Sequence, residues 1–220
     1  MPTRARIPAF AWAFIPFIVA SVFHVIALGL ENPLAGPSKL MLLPLLAVPV
    51  LFTMRQMRLS AAVLLLIALL FSWLGDGAGA FFPGGPTLPL MLLFFGLAHI
   101  AYIVLFARHL VRRKVPWWAL IYAVWWIGMI AFLGPHTGPL FFGVAGYGIV
   151  LAGTAIFAAR CTPLIATGGA FFLASDTILA FRLFLPGMPD WTSPAVMFTY
   201  TLGQGLIIAG ALLALRKKQR

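Results

Sequence analysis

Apolar residues in this chain come in long runs, not in the short alternations of a half-buried strand or the stripes of a surface helix. Most runs approach the roughly 20 residues that an α-helix needs to cross a bilayer. Turn-like segments rich in Gly and Pro separate them: ENPLAGPS, PGGPT, GPHTG and PGMPDWTSP. The pattern predicts eight helices, at residues 9–30, 38–54, 59–80, 88–107, 115–133, 139–159, 163–184 and 194–215. The second is short and carries Pro44 and Pro49, which predicts a kink or a tilt. The opening MPTRAR and its apolar run look like a signal peptide, yet they lack a small-residue cleavage site and are long enough to span. They are read as the first helix. No connection is long enough to separate domains, so residues 1–220 are read as a single integral membrane domain: an all-α, polytopic transmembrane bundle of about eight helices.

Composition agrees. The chain is 63% apolar and 9% charged, with a mean hydropathy of +1.06, whereas about a quarter of the residues in soluble chains are charged. The aromatic pairs Trp117/Trp118 and Trp125/Trp126 suit interfacial belts. The net charge of +11 would suit a nucleic-acid partner, but the basic residues form no stripe and sit in the gaps between apolar runs. With the N-terminus inside, one side holds Arg4, Arg6, Arg55, Arg58, Arg108, Arg112, Arg113, Lys114, Arg160, Arg216, Lys217, Lys218 and Arg220, thirteen of the fifteen. Lys39 and Arg182 remain outside. The positive-inside rule therefore places both the N- and C-termini in the cytoplasm. The expected location is a multi-pass position in a bacterial inner (cell) membrane, with the membrane and a lipid as partners and no nucleic acid. A single cysteine, Cys161, excludes an internal disulfide and a cysteine metal site.

The third span ends FSWLGDGAGAF (Phe71 to Phe81) and the seventh FFLASDTILAF (Phe171 to Phe181), with Phe, Asp, Ala and Phe at matching places. Both helices run the same way in this topology. That allows a 4+4 parallel repeat about an axis along the membrane normal, although a Phe- and Ala-rich chain also produces such matches by chance.

Only four acidic residues exist: Glu31, Asp76, Asp176 and Asp190. Glu31 and Asp190 fall in outer loops, where a solvated charge is the simple reading. Asp76 and Asp176 end or interrupt apolar helices, where an ionised Asp near the bilayer centre would cost ~2.5–3.5 kcal/mol. At 1.5 Å per residue, Asp76 lies about 27 Å along its helix from Arg58, and Asp176 about 24 Å from Arg160. Both carboxyls thus reach a similar depth in the outer half of the bilayer. Two carboxyls in one apolar shell suit general acid–base work, one staying protonated while the other is ionised. The structural alternative is pairing with Lys39 or Arg182, or capping of a helix end.

Other polar residues are less specific. Lys39 opens the second span and can hold a phosphate, pair with an Asp or snorkel. Ser72 precedes Asp76 by one turn, and Ser175 adjoins Asp176; either can bond back to its own helix. Tyr200 and Gln204 share a face at i,i+4, and Gln204 needs a partner amid apolar neighbours. His99 sits mid-helix with Tyr102 one turn on, and a packing histidine is the plainer reading. The four histidines show no HExxH-type spacing, so no metal and no cofactor is expected. The glycines of GDGAG follow no strand. They are not a nucleotide loop, and serve to unwind a helix end or let backbones pack closely beside Asp76.

Taken together and in order, these residues resemble the YhhN-like lysoplasmalogenase family of integral membrane enzymes. The resemblance runs over nearly the whole length, through SKLMLLPLL (Lys39), WLGDGAGAF (Asp76), GLAHIAYIVLF (His99, Tyr102), FFLASDTILAF (Ser175, Asp176) and TYTLGQGLIIAG (Tyr200, Gln204). Two features depart from the family pattern: Leu40, not Pro, follows Lys39, and glycines replace bulkier residues after Asp76. Both bear on substrate preference. The resemblance implies a hydrolase that cleaves the vinyl ether bond of lysoplasmalogens, or of a related lysolipid, to a fatty aldehyde and glycerophosphoethanolamine or glycerophosphocholine. Asp76 and Asp176 would be its catalytic acid and base, and Lys39, His99, Tyr102, Ser175, Tyr200 and Gln204 would bind or orient substrate. Two other classes remain open on the residues alone. One is a proton- or cation-coupled transporter using the same aspartates; the other is an assembly subunit whose polar residues only join helices.

Overall fold

Each apolar run forms a helix in the computed structural model, which describes residues 9–216. The expectations placed on Arg4, Arg6, Lys217, Lys218 and Arg220 lie outside these residues. In chain order the α-helices are α1 Ile15–Gly29, α2 Ala35–Thr53, α3 Leu59–Asp76, the single turn α4 Ala78–Phe81, α5 Thr87–Leu105, α6 Ile121–Leu133, α7 Phe141–Ala159, α8 Pro163–Phe184 and α9 Thr192–Leu215. Short 3-10 or π turns lengthen several of them, so that eight segments are long and apolar enough to cross a membrane. No strand occurs among the described residues. The protein is a multi-pass helical membrane protein.

Seven helices form a closed ring in the order α1, α2, α3, α5, α7, α8, α9, with α9 returning to α1. Helix α6 stands outside that ring, against α7. Lipid supplies no hydrophobic drive for helix association, so close packing of small residues and buried polar bonds must hold the ring together. The α8–α9 contact is the most extensive, and glycine makes it possible. A Cβ on Gly168 would lie 2.8 Å from the Ile207 nitrogen, and one on Gly203 would lie 2.7 Å from the Phe172 nitrogen. The two backbones meet where any larger residue would part them.

Two of the departures from the expected boundaries have a clear physical cause. Helix α2 begins at Ala35, three residues before the expected start, and continues unbroken through Pro44 and Pro49. Pro44 has no N–H to give the carbonyl of Leu40, and Trp73 Nε1 of α3 donates to that oxygen instead, at 2.8 Å. The proline thus exposes an acceptor that pins α2 to α3. Helix α3 ends at Asp76 rather than at residue 80, because Gly77 closes it with an N–H to the Trp73 carbonyl and α4 then starts afresh.

The basic loops gather at one end of the bundle. Arg216 Nε donates to Gln56 Oε1 at 2.8 Å, Arg113 Nε to the Ala159 carbonyl at 2.9 Å and Arg160 Nε to the Arg113 carbonyl at 3.2 Å. Arg182 lies far along α8 from Arg160, where its guanidinium is hydrogen-bonded to Thr192 and the Pro189 carbonyl. Trp12, Trp117 and Trp191 are exposed near helix ends, as a belt requires. Trp125 and Trp126 are not belt residues: they sit within α6 and turn inward, Trp125 Nε1 to Thr177 at 3.0 Å and Trp126 Nε1 to the Ala145 carbonyl at 3.1 Å.

Two predictions follow from this packing. Gly203→Val will destabilise the protein by about 1–3 kcal/mol, the usual cost of overpacking, whereas Gly36→Ala, with nothing within 4 Å of the added carbon, will not; denaturation in detergent reads both. Burial pushes the Cys161 thiol, in the α7–α8 turn, up to about 11 despite Arg160, Arg112 and Arg113 nearby. Its alkylation at pH 8 will therefore be slow in the folded protein, will quicken as pH rises towards 11, and will quicken at once on unfolding.

Candidate active site

Inside the ring, two carboxyls sit in different company. Asp76 closes α3 with its side chain only 3% exposed, and Lys39 of α2 brings Nζ to 3.2 Å from Asp76 Oδ1. Tyr200 of α9 donates its hydroxyl to Asp76 Oδ2 at 2.7 Å. Gln204, one turn further along α9, donates to Ser72 Oγ at 3.0 Å and to the Tyr200 oxygen at 3.5 Å. Tyr102 of α5 completes the set by donating to Gln204 Oε1 at 2.5 Å. Four helices therefore contribute to one connected network. Lys39, 33% exposed, is its least buried member.

Asp176 lies within α8, 9% exposed, and among the described residues no Lys or Arg pairs with it. Its partners are the hydroxyl of Tyr147 on α7, which donates to Oδ2, and the fully buried His99, whose Nε2 is 3.6 Å from the same oxygen. His99 Nε2 is also 3.2 Å from the Tyr147 oxygen. On the far side of the ring, His99 Nδ1 is 3.1 Å from Thr154 Oγ1, which also lies 2.9 Å from the Val150 carbonyl of its own helix.

Tyr147 thus stands between the Asp176 carboxyl and the His99 ring in one hydrogen-bonded chain, whereas Asp76 is paired with the Lys39 cation.

Aromatic rings join the two groups. Phe172 lies 5.4 Å from the Tyr200 ring and 4.7 Å from that of His99. Phe95 meets Tyr200 edge-on at 6.0 Å and shares a cavity wall with Tyr147 and Asp176. Phe95 also explains Gly75, since a Cβ there would come within 2.6 Å of its ring.

The structure brings together Lys39, Asp76, Tyr200, Gln204 and Tyr102 in one network, and His99 with Asp176 in the other. Ser175 stands apart: it is buried and donates to the Val196 carbonyl at 3.1 Å, joining α8 to α9. Arg182, weighed as a partner for an Asp, is held by Thr192 instead. Sequence reasoning missed Tyr147, Thr154 and Ser72's role as an acceptor. A tyrosine among the glycines of FFGVAGYGIV was the available signal.

The fold and these buried groups define a polytopic membrane protein with an internal two-carboxyl site. The YhhN family model matches residues 34–211, and the chain belongs to the YhhN family. No curated protein and no solved structure matches it.

The Lys39–Asp76 pair makes a prediction about stability. Lys39→Met leaves a buried carboxylate without its cation and will cost about 1–3 kcal/mol. Adding Asp76→Asn in the same chain will recover most of that loss. A simple loss of lysine packing would leave the double variant as weak as the single one in detergent denaturation.

Proposed function

We propose that this protein is a membrane hydrolase that cleaves the vinyl ether bond of a lysoplasmalogen or related lysolipid, releasing a fatty aldehyde. The observation that carries this reading is the inequivalence of the two buried carboxyls. Asp76 has Lys39 and Tyr200 to stabilise its anion; Asp176 has only Tyr147 and His99. A carboxyl beside a cation suits the role of the anion, and one without a cation suits that of the proton donor. Membership of the YhhN family supports the same activity.

The chemistry needs both states at once. Asp176 gives a proton to the β-carbon of the vinyl ether, the alkene π pair forming the new C–H bond. An ether-oxygen lone pair makes the oxocarbenium ion, which the Asp76 carboxylate stabilises. Water then adds to the α-carbon and loses its proton to a carboxylate. The hemiacetal collapses as the glyceryl oxygen takes up a proton and leaves, and the hydroxyl gives up its own to become the aldehyde. One water is consumed, and each carboxyl ends as it began. The use of paired carboxyls about an oxocarbenium-like transition state has the logic of glycoside hydrolysis. Lys39 binds the lipid phosphate, while Gln204 and Tyr102 hold Tyr200 on Asp76. His99 and Tyr147 return the proton to Asp176.

The test is aldehyde release from a lysoplasmalogen by the purified protein. Asp76→Asn and Asp176→Asn will each lower turnover by roughly 10³-fold, within the 10²–10⁴ span of acid–base catalysis, and Tyr147→Phe by less, about 10-fold. Both Asn variants active and correctly folded would sink the mechanism. A well-folded wild type that releases no aldehyde points to the other use of the His99–Tyr147–Asp176 chain, as a proton relay in transport, measured as proton-coupled uptake into vesicles.

A further inference from the structure

The Asp176 carboxyl forms part of the wall of a cavity bounded by α5, α6, α7 and α8. Apart from Asp176 and the Tyr147 hydroxyl the lining is hydrocarbon, thioether or indole, with Phe95, Trp126, Met129, Leu133 and Leu179 typical of it. On α8 the lining runs from Asp176 to Phe184, about 12 Å at 1.5 Å per residue. The space is therefore a slot with a carboxyl at its deep end and apolar walls above. It is narrow, about 70 Å³.

Its outer wall differs from the others. Helices α5, α7 and α8 belong to the closed ring, whereas α6 packs on the outside of α7. The indole N–H groups of Trp125 and Trp126 tie α6 to α8 and α7. Across the slot, Trp126 fits only because Gly148 has no Cβ, which would sit 2.8 Å from its ring. The α6 wall is therefore outside the closed ring and contributes to neither carboxyl network.

We propose that this slot holds the single aliphatic chain of the substrate, with α6 as the wall that yields to admit it. The inference rests on the hydrolase reading for what happens at the head of the chain, but not for the binding itself. The occupant is a hydrocarbon chain because, apart from the Asp176 carboxyl at its end, the polar groups of the lining are already hydrogen-bonded. It is one chain because the slot is narrow and has one reactive end. A larger groove lies between α1 and α9, but neither carboxyl network reaches it. Its two hydroxyls, Ser21 and Thr201, are already bonded within their own helices. Residues on α6 thereby set chain-length preference although α6 supplies nothing to the chemistry.

The experiment uses the full protein in nanodiscs and an uncleavable, saturated single-chain ether phospholipid bearing a hexadecyl or an octyl chain. Binding is read by thermal shift, and turnover is measured in parallel on vinyl ethers of matching length. The hexadecyl lipid will stabilise the wild type and Met129→Ala. It will bind Met129→Trp at least tenfold more weakly, while the octyl lipid will bind all three alike. Met129→Trp that takes the hexadecyl lipid as the wild type does overturns the proposal, and so does equal weakening for both chain lengths. Met129→Ala guards against a tryptophan variant that fails to fold, since it should shift preference towards longer chains; an unchanged preference in that variant also counts against the slot. Length-selective binding without aldehyde release leaves the slot standing and removes the hydrolase. Aldehyde release with an unchanged length profile in both variants does the reverse.

Discussion

A polar group in the bilayer interior has no water to bond, so it must find its partner on another helix. The packing of this ring follows from that requirement. Gln204 alone joins α9 to α5 through Tyr102 and to α3 through Ser72. Tyr200 and Lys39 add α9 and α2 to Asp76. His99, with Tyr147, Thr154 and Asp176, joins α5 to α7 and α8. Glycine contacts then draw α8 and α9 close enough for Phe172 and Tyr200 to meet. The interactions that hold the ring together are the same ones that build the site.

This arrangement gives different surroundings to two carboxyls that look equivalent in the sequence. Asp76 sits at a helix end, where the start of α2 brings a lysine beside it. Asp176 lies within a helix, where only side chains of neighbouring helices can reach it, and those are a phenol and an imidazole. A cation on one side and that pair on the other make the two groups chemically distinct, although no change of residue type separates them. The apolar rings of Phe95 and Phe172 pack against Tyr200 of one network, and Phe172 against His99 of the other, a low-dielectric setting in which hydrogen bonds to charge are strongest.

Much of the fold was legible because the bilayer imposes it. A spanning segment must satisfy its backbone internally, so a long apolar run can only be a helix. The seventh span, 163–184, coincides with α8 residue for residue. The third was read four residues too long, since GDGAG remains apolar enough to continue the run while Gly77 ends the helix. Of the candidate site residues, Tyr200 and Gln204 were visible as an i,i+4 pair, and Lys39 was visible as an isolated cation. Tyr147 was not, because one tyrosine in an apolar helix carries no sign of which way it faces.

Local sequence was enough to specify the number of spans, their direction relative to the basic loops, and which few polar side chains the membrane would force inward. Periodicity, length and charge placement are local properties, and they suffice for those statements. Tertiary structure decided which polar residues meet. It paired Lys39 with Asp76 and left Asp176 to Tyr147 and His99. It spent Ser175 on a helix–helix bond, placed α6 outside the ring, and turned Trp125 and Trp126 from the expected belt into a cavity wall. Those outcomes depend on the rotation of each helix about its own axis and on its neighbours, both set by close packing of glycines and rings from distant parts of the chain. No single stretch of sequence contains that information.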